Sequence, residues 1–160
     1  METKVHFTNY IGTECVNGFP MNKADYCKLR GLDVPANEDP LEEGYLIEYP
    51  DSKSNHEQFR GYISWSPKAA FETAYRDVEK GCTFGHAVEL LKTGFKLARK
   101  DWNGKGIYLT YVSPDQWQVD KYEAHLNSLP WIGMKTADDS FVPWLASQSD
   151  ILAEDWVLAQ

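Results

Sequence analysis

The chain has 160 residues, 42% hydrophobic and 25% charged, with a formal net charge of −8. That composition describes a globular protein with one good core or two small ones, and no apolar run reaches the length of a membrane-spanning helix. Its acidity disfavours a nucleic-acid duplex as partner, since phosphate recognition leaves a basic stripe, although Arg99, Lys100, Lys105 and Lys135 allow a local cationic pocket for a small anion.

The N-terminus, Met1–Glu2–Thr3–Lys4–Val5–His6, lacks the basic-then-apolar pattern of a secretory signal. The three scattered cysteines, Cys15, Cys27 and Cys82, suit reduced thiols better than a disulfide scaffold, so a cytoplasmic location is expected.

In chain order, two modules join near Gly81, over residues 1–80 and 82–160. Tyr10 to Phe19 has strand composition and stops at Pro20. Asn22 with Asp25 forms a capping box for a helix over Ala24–Arg30, which Gly31 ends. Residues 33–43 form a loop. Tyr45–Tyr49 and Tyr62–Trp65 read as strands around a polar stretch, Asp51–Glu57. Ser66 as N-cap and Pro67 at the first helical position then open a helix with Phe71, Ala74, Tyr75 and Val78 at helical spacing.

In the second module Thr83 caps a helix carrying Phe84, Ala87, Val88 and Leu91 on one face, and Gly94 closes it. Residues 95–101 and 107–113 form a hairpin across the Asn103–Gly104 turn. Gln116–Val119 reads as a short extended piece before the polar stretch Asp120–Ser128. Ile132–Lys135 and Phe141–Pro143 form a second hairpin. Ser147 with Asp150 caps a last helix running to about Trp156. The class is α+β: an antiparallel β-sheet with flanking helices, in a small N-terminal module fused to a C-terminal domain.

The region from Leu129 to Trp156 is the most telling, because Trp131, Trp144 and Trp156 alternate there with prolines and carboxylates. Aromatic plates beside fixed polar groups suit a planar, hydrogen-bonding ligand, and equally a plain aromatic core. Metal binding is not expected, since His6, His56, His86 and His125 stand apart from one another and from cysteines or carboxylates at ligand spacing. Cys82, just before a capped helix with His86 four residues on, reads as a half-buried thiol at a junction more than as a nucleophile. Asp150 and Asp155, at opposite ends of the expected last helix, are not neighbours on it. Asp138 and Asp139 suit a hairpin turn. Trp102, at a strand end beside a tight turn, is either a lid on the core or a wall of a pocket, with Arg99 and Lys100 nearby to attract phosphate.

The blocks Thr83–Phe84–Gly85–His86–Ala87–Val88–Glu89–Leu90–Leu91–Lys92–Thr93–Gly94, Ala98–Arg99–Lys100–Asp101–Trp102–Asn103–Gly104–Lys105–Gly106, Pro130–Asp138 and Val142–Trp156 together resemble the second Thoeris anti-defence family of phages, over about residues 82–158. The resemblance implies a protein without catalysis or cofactor. Members act as sponges that bind a cyclised ADP-ribose immune signal intact inside the infected bacterial cell. They form homotetramers with pockets between subunits, and some also hold cyclic dinucleotides. It further implies that Trp102 is the aromatic wall of the pocket and that Asp138 and Asp150 are polar ligand contacts, with Asp155 as the alternative to Asp150. Arg99, Asn103 and Lys105 complete the expected ligand-binding set, the cations facing the pyrophosphate. Two rival readings are a nucleotide-degrading enzyme and a structural or protein-binding phage factor. Residues 1–80 resemble a phage module fused ahead of such domains, with no assignable chemistry.

Overall fold

The computed structural model describes residues 11–102, 104–117 and 126–160. The chain divides into two compact units, Met1–Tyr75 and Arg76–Gln160, and its class is α+β with two antiparallel sheets and flanking helices.

The first unit is a three-stranded sheet, in the order β1 (Asn17–Pro20), β2 (Gly44–Tyr49), β3 (Tyr62–Pro67). The described part of the expected first strand is shorter than its composition suggests and runs through Pro20, which pairs with Tyr45. Pro20 is tolerated because β1 is an edge strand, where a missing N–H need not break a ladder.

Helix α1 (Lys23–Arg30) begins at Asn22, whose side chain accepts the Asp25 N–H at 2.8 Å. It ends at Gly31 in the left-handed region (φ 65°), with the Leu32 N–H on the Cys27 carbonyl at 2.8 Å, so the carbonyls of the last turn find partners. Helix α2 (Lys68–Ala74) starts later than expected and stops before Val78. Ser66 and Pro67 are still paired with Tyr45 and Gly44 in the sheet, so Ser66 is not free to cap it. Phe71 of α2 stacks on Tyr45 at 4.2 Å between ring centroids.

The second unit is a five-stranded sheet in the order β7-β6-β5-β4-β8, comprising β4 (Leu97–Arg99), β5 (Tyr108–Val112), β6 (Trp131–Lys135), β7 (Phe141–Pro143) and β8 (Trp156–Leu158). Helix α3 (Phe84–Lys92) accompanies it, with Thr83 accepting the His86 N–H and Gly94 (φ 95°) closing the C-terminus. Ala87, Leu90 and Leu91 recur at helical spacing and bury with Cys82, Leu97, Leu109 and Trp156; fully burying each leucine contributes about 1.5–3 kcal/mol.

Two expectations change here. The Ser147–Asp150 capping box is present, but its helix, α4, is only Gln148–Ile151, and Trp156 lies in a strand. Helix continuation loses to pairing with β4, in which Arg99 opposes Trp156 and Leu97 opposes Leu158. Of the expected extended piece Gln116–Val119, Gln116 instead closes one turn of 3-10 helix (Pro114–Gln116), Trp117 is extended, and the last two residues lie outside the described residues. Residues 118–125, with most of the expected polar stretch, lie outside the described residues, as do His6, Tyr10 and Asn103. Among the described residues no helix is long and apolar enough to cross a membrane.

Candidate functional site

Strand directions gather the candidate residues. Because β4 and β6 are each antiparallel to β5, both end at the same edge of the sheet, at Arg99 and Lys135. Strand β8, antiparallel to β4, begins at that edge with Trp156, so Asp155 and α4 lie there too. The turn after β4, the turn after β6 and the approach to β8 therefore share one end of the second unit.

The turn after β4 is shaped by two glycines in the left-handed region, Gly104 (φ 81°) and Gly106 (φ 68°), which other residues adopt only with strain. The Trp102 N–H bonds the Arg99 carbonyl at 2.9 Å and the Lys105 N–H bonds the Trp102 carbonyl at 3.0 Å. The Trp102 indole is half-buried. It meets Trp156 edge to face at 5.5 Å and Trp144 at 6.5 Å, and Trp156 itself is fully buried. Trp102 packs against the core and also borders a shallow cleft of about 180 Å³ with Gly104, Gly106, Ile107, Tyr108, Ala159 and Gln160.

Arg99 is committed elsewhere. Its Nη1 donates to Asp150 Oδ1 at 3.0 Å and its Nε to Asp155 Oδ1, while the guanidinium lies 5.7 Å from the centroid of the Trp156 ring. The sequence reading separated Asp150 from Asp155 along one helix; because α4 stops at Ile151, the two carboxylates converge on one guanidinium. The side chains are 20% (Arg99), 16% (Asp150) and 34% (Asp155) exposed, so the network is shielded without being sealed.

Asp150 also accepts the Ser147 N–H at 3.0 Å and the Ser147 hydroxyl at 2.6 Å through its other oxygen. Burial pushes its carboxyl up, but the Ser147 bonds and Arg99 outweigh that and hold it below the usual carboxylate range. The Arg99 pKa is raised, chiefly by its bond to Asp155.

Asp138 lies exposed in the turn after β6, where its carboxylate accepts the Thr136 hydroxyl, which holds its pKa below the ordinary value. Asp139 takes the left-handed conformation there (φ 62°) and pairs with Lys135 at 2.6 Å. Lys135 also donates to the Gly106 carbonyl at 3.0 Å, tying this turn to the one that carries Trp102. Lys105 is exposed on that first turn. Cys82, whose thiol burial raises to about 11, belongs to the core.

Residues that sequence reasoning did not single out as site residues are Trp144, Ile107 and Tyr108. Trp144 was visible as part of the aromatic run, but its edge contact with Trp102 depends on the sheet order, in which β5 and β6 lie between β7 and β4, which no local pattern reveals. Among the described residues, no group of three or more His, Cys, Asp or Glu side chains is placed to hold a metal ion. The arrangement offers an anchored indole face, a glycine turn with backbone amides, and an exposed lysine beside it. Those are the means to stack a planar ring and attract an anion.

Residues 82–159 match the model of the Thoeris anti-defense 2-like domain. A protein of Bacillus phage SP01 named Thoeris anti-defense 2 is 40% identical over 81 aligned positions, covering 46% of this chain and 90% of that protein.

Proposed function

This chain belongs to the Thoeris anti-defense 2-like family, and we propose that it is a phage anti-defence sponge, which binds a cyclised ADP-ribose immune signal in the infected bacterial cell and holds it chemically intact. The observation that carries this reading is the Trp102 cleft, found inside the segment that defines the family. Trp102 supplies the stacking wall. Asp138 offers acceptors to ribose hydroxyls or base N–H groups, and Lys105 with neighbouring backbone amides faces the phosphates. A carboxylate beside a diphosphate is repulsive, so the acidic groups meet hydroxyls and not phosphate oxygens.

A sponge acts by mass action, so it must bind tightly and outnumber its ligand. A dissociation constant near 10 nM is about −11 kcal/mol, of which stacking on one tryptophan gives about 1–3 kcal/mol. The cleft of one chain, about 180 Å³, is smaller than the roughly 300–1,000 Å³ usual for a ligand pocket. That supports a site completed by another copy, in a homotetramer. Leu145, 92% exposed, and Leu152, 76% exposed, are apolar surface in the same unit for such an assembly.

Light scattering is expected to give about four times the 18.3 kDa chain mass. Calorimetry with cyclic ADP-ribose isomers is expected to show saturable binding without metal, and the same titration with cyclic dinucleotides scores a second ligand class. A monomer at all concentrations, or a folded protein giving no heat with any isomer, contradicts the reading. Conversion of the nucleotide to a new product would make the chain an enzyme instead.

A further inference from the structure

We infer that Arg99, Asp150 and Asp155 are positioning residues that fix the Trp102 wall, and that they are not themselves contacts to the nucleotide. The inference deepens the proposed function and rests on it for its ligand readout.

Three features of the geometry carry it. First, Arg99 is already paired: its Nε and Nη1 hold carboxylates from two separate segments, the approach to β8 and α4. Of the five guanidinium N–H groups two are thus committed, and a diphosphate approaching the others meets a charge already countered by two carboxylates. Second, Asp150 is saturated from the other side by the Ser147 N–H and hydroxyl, so it has little left to offer a ribose. Third, the network touches the backbone that carries Trp102 and one of its two aromatic neighbours, Trp156. The Arg99 carbonyl accepts the Trp102 N–H, the Asp155 carbonyl accepts the Lys100 N–H at 3.2 Å, and the Asp150 carbonyl accepts the Trp156 indole N–H at 3.0 Å. Trp156 in turn presents its ring to Trp102.

One guanidinium thus clamps the end of β4, helix α4 and the approach to β8, which between them hold the Trp102 backbone and the Trp156 ring it packs on. Held groups of this kind matter because a displacement of about 1 Å at a binding wall suffices to degrade it. A consequence for the ligand follows: with Arg99 neutralised by two carboxylates, the positive charge for phosphate falls to Lys105 and the glycine-turn amides.

The direction of one substitution separates positioning from contact. Asp155→Asn weakens a competitor for Arg99. If Arg99 were a phosphate clamp, this would tighten binding of an anionic nucleotide; if Arg99 positions Trp102, binding loosens. Asp155→Asn and Arg99→Lys are titrated with cyclic ADP-ribose beside the unaltered chain. Each is also labelled with 5-fluorotryptophan, the Trp102 fluorine signal being identified through Trp102→Phe.

The expected result is a folded protein in both cases, a shifted or split Trp102 signal, and affinity lowered by about tenfold in both. Tighter binding in Asp155→Asn, unchanged affinity in both variants, or an unmoved Trp102 signal overturns the inference. If the unaltered chain does not bind cyclic ADP-ribose, the proposed function fails. The fluorine signal then still decides whether the network positions Trp102.

Discussion

Trp102→Ala should damage stability and binding together, in amounts the structure sets. The indole makes two edge-to-face contacts, with Trp156 at 5.5 Å and with Trp144 at 6.5 Å, each worth about 0.5–1.5 kcal/mol beyond simple burial. Truncating a fully buried tryptophan costs about 3–5 kcal/mol. Trp102 is only half-buried, so about 2–3 kcal/mol is expected. In a unit the size of Arg76–Gln160 that lowers the melting temperature by roughly 10–20 °C. Below the melting range, the lost stacking face should weaken nucleotide binding by about 1–3 kcal/mol, a factor of roughly five to 150.

Trp102→Phe keeps an aromatic edge against Trp156 but offers a smaller face, so it should lose less stability than the alanine variant while still losing affinity. Thermal melting by circular dichroism and calorimetric titration, run on both variants, measure the two effects. An alanine variant that melts within about 2 °C of the unaltered chain would refute the edge-packed indole. One that melts early but binds with native affinity would refute the wall.

Other consequences are open to direct measurement. The Asp150 carboxyl is held below its ordinary range in the folded chain, so its contribution to stability is full above about pH 4 and is lost as pH falls through the lower folded value. Urea midpoints should therefore drop on acidification less steeply in Asp150→Asn than in the unaltered chain, and parallel curves would contradict this. Cys15 is exposed whereas Cys27 and Cys82 are buried, with the Cys82 thiol pushed up to about 11; a disulfide reagent at about pH 8 should react quickly with one thiol and with the other two only after unfolding. In the first unit, a Cβ at Gly61 would lie 2.0 Å from the Tyr49 carbonyl oxygen, so Gly61→Ala should destabilise that unit by about 1–3 kcal/mol in urea titration.

What could be read from the sequence was what local chemistry decides. Asn22 and Gly31 bracket α1, Thr83 and Gly94 bracket α3, and the hairpin of β6 and β7 falls where turn residues interrupt apolar runs. Local signals failed where a distant strand competed. The Ser147 box opens a helix, but Trp156 is drawn into β8 by pairing with Arg99, more than fifty residues earlier in the chain. Likewise Ser66 and Pro67, a sound helix start in isolation, stay in β3 because Tyr45 and Gly44 pair with them.

The candidate site was legible to the same extent. Trp102 and its glycine turn were visible from composition and spacing, and so was the presence of Arg99, Asp150 and Asp155. Their convergence was hidden, because an unbroken last helix keeps the two aspartates apart, and only its early end at Ile151 brings both to Arg99. Trp144 was hidden for a similar reason, since its contact with Trp102 is made across the sheet.

The central claim, that the chain withholds a nucleotide signal without altering it, is tested most directly by mass balance. Cyclic ADP-ribose isomers are incubated with a molar excess of protein, passed through a membrane that retains the protein, and quantified by mass spectrometry before and after heat denaturation. The account predicts that one isomer disappears from the filtrate and returns in full, with unchanged mass and retention, when the protein is denatured. Free passage of every isomer, or recovery of a product in place of the parent nucleotide, would contradict it.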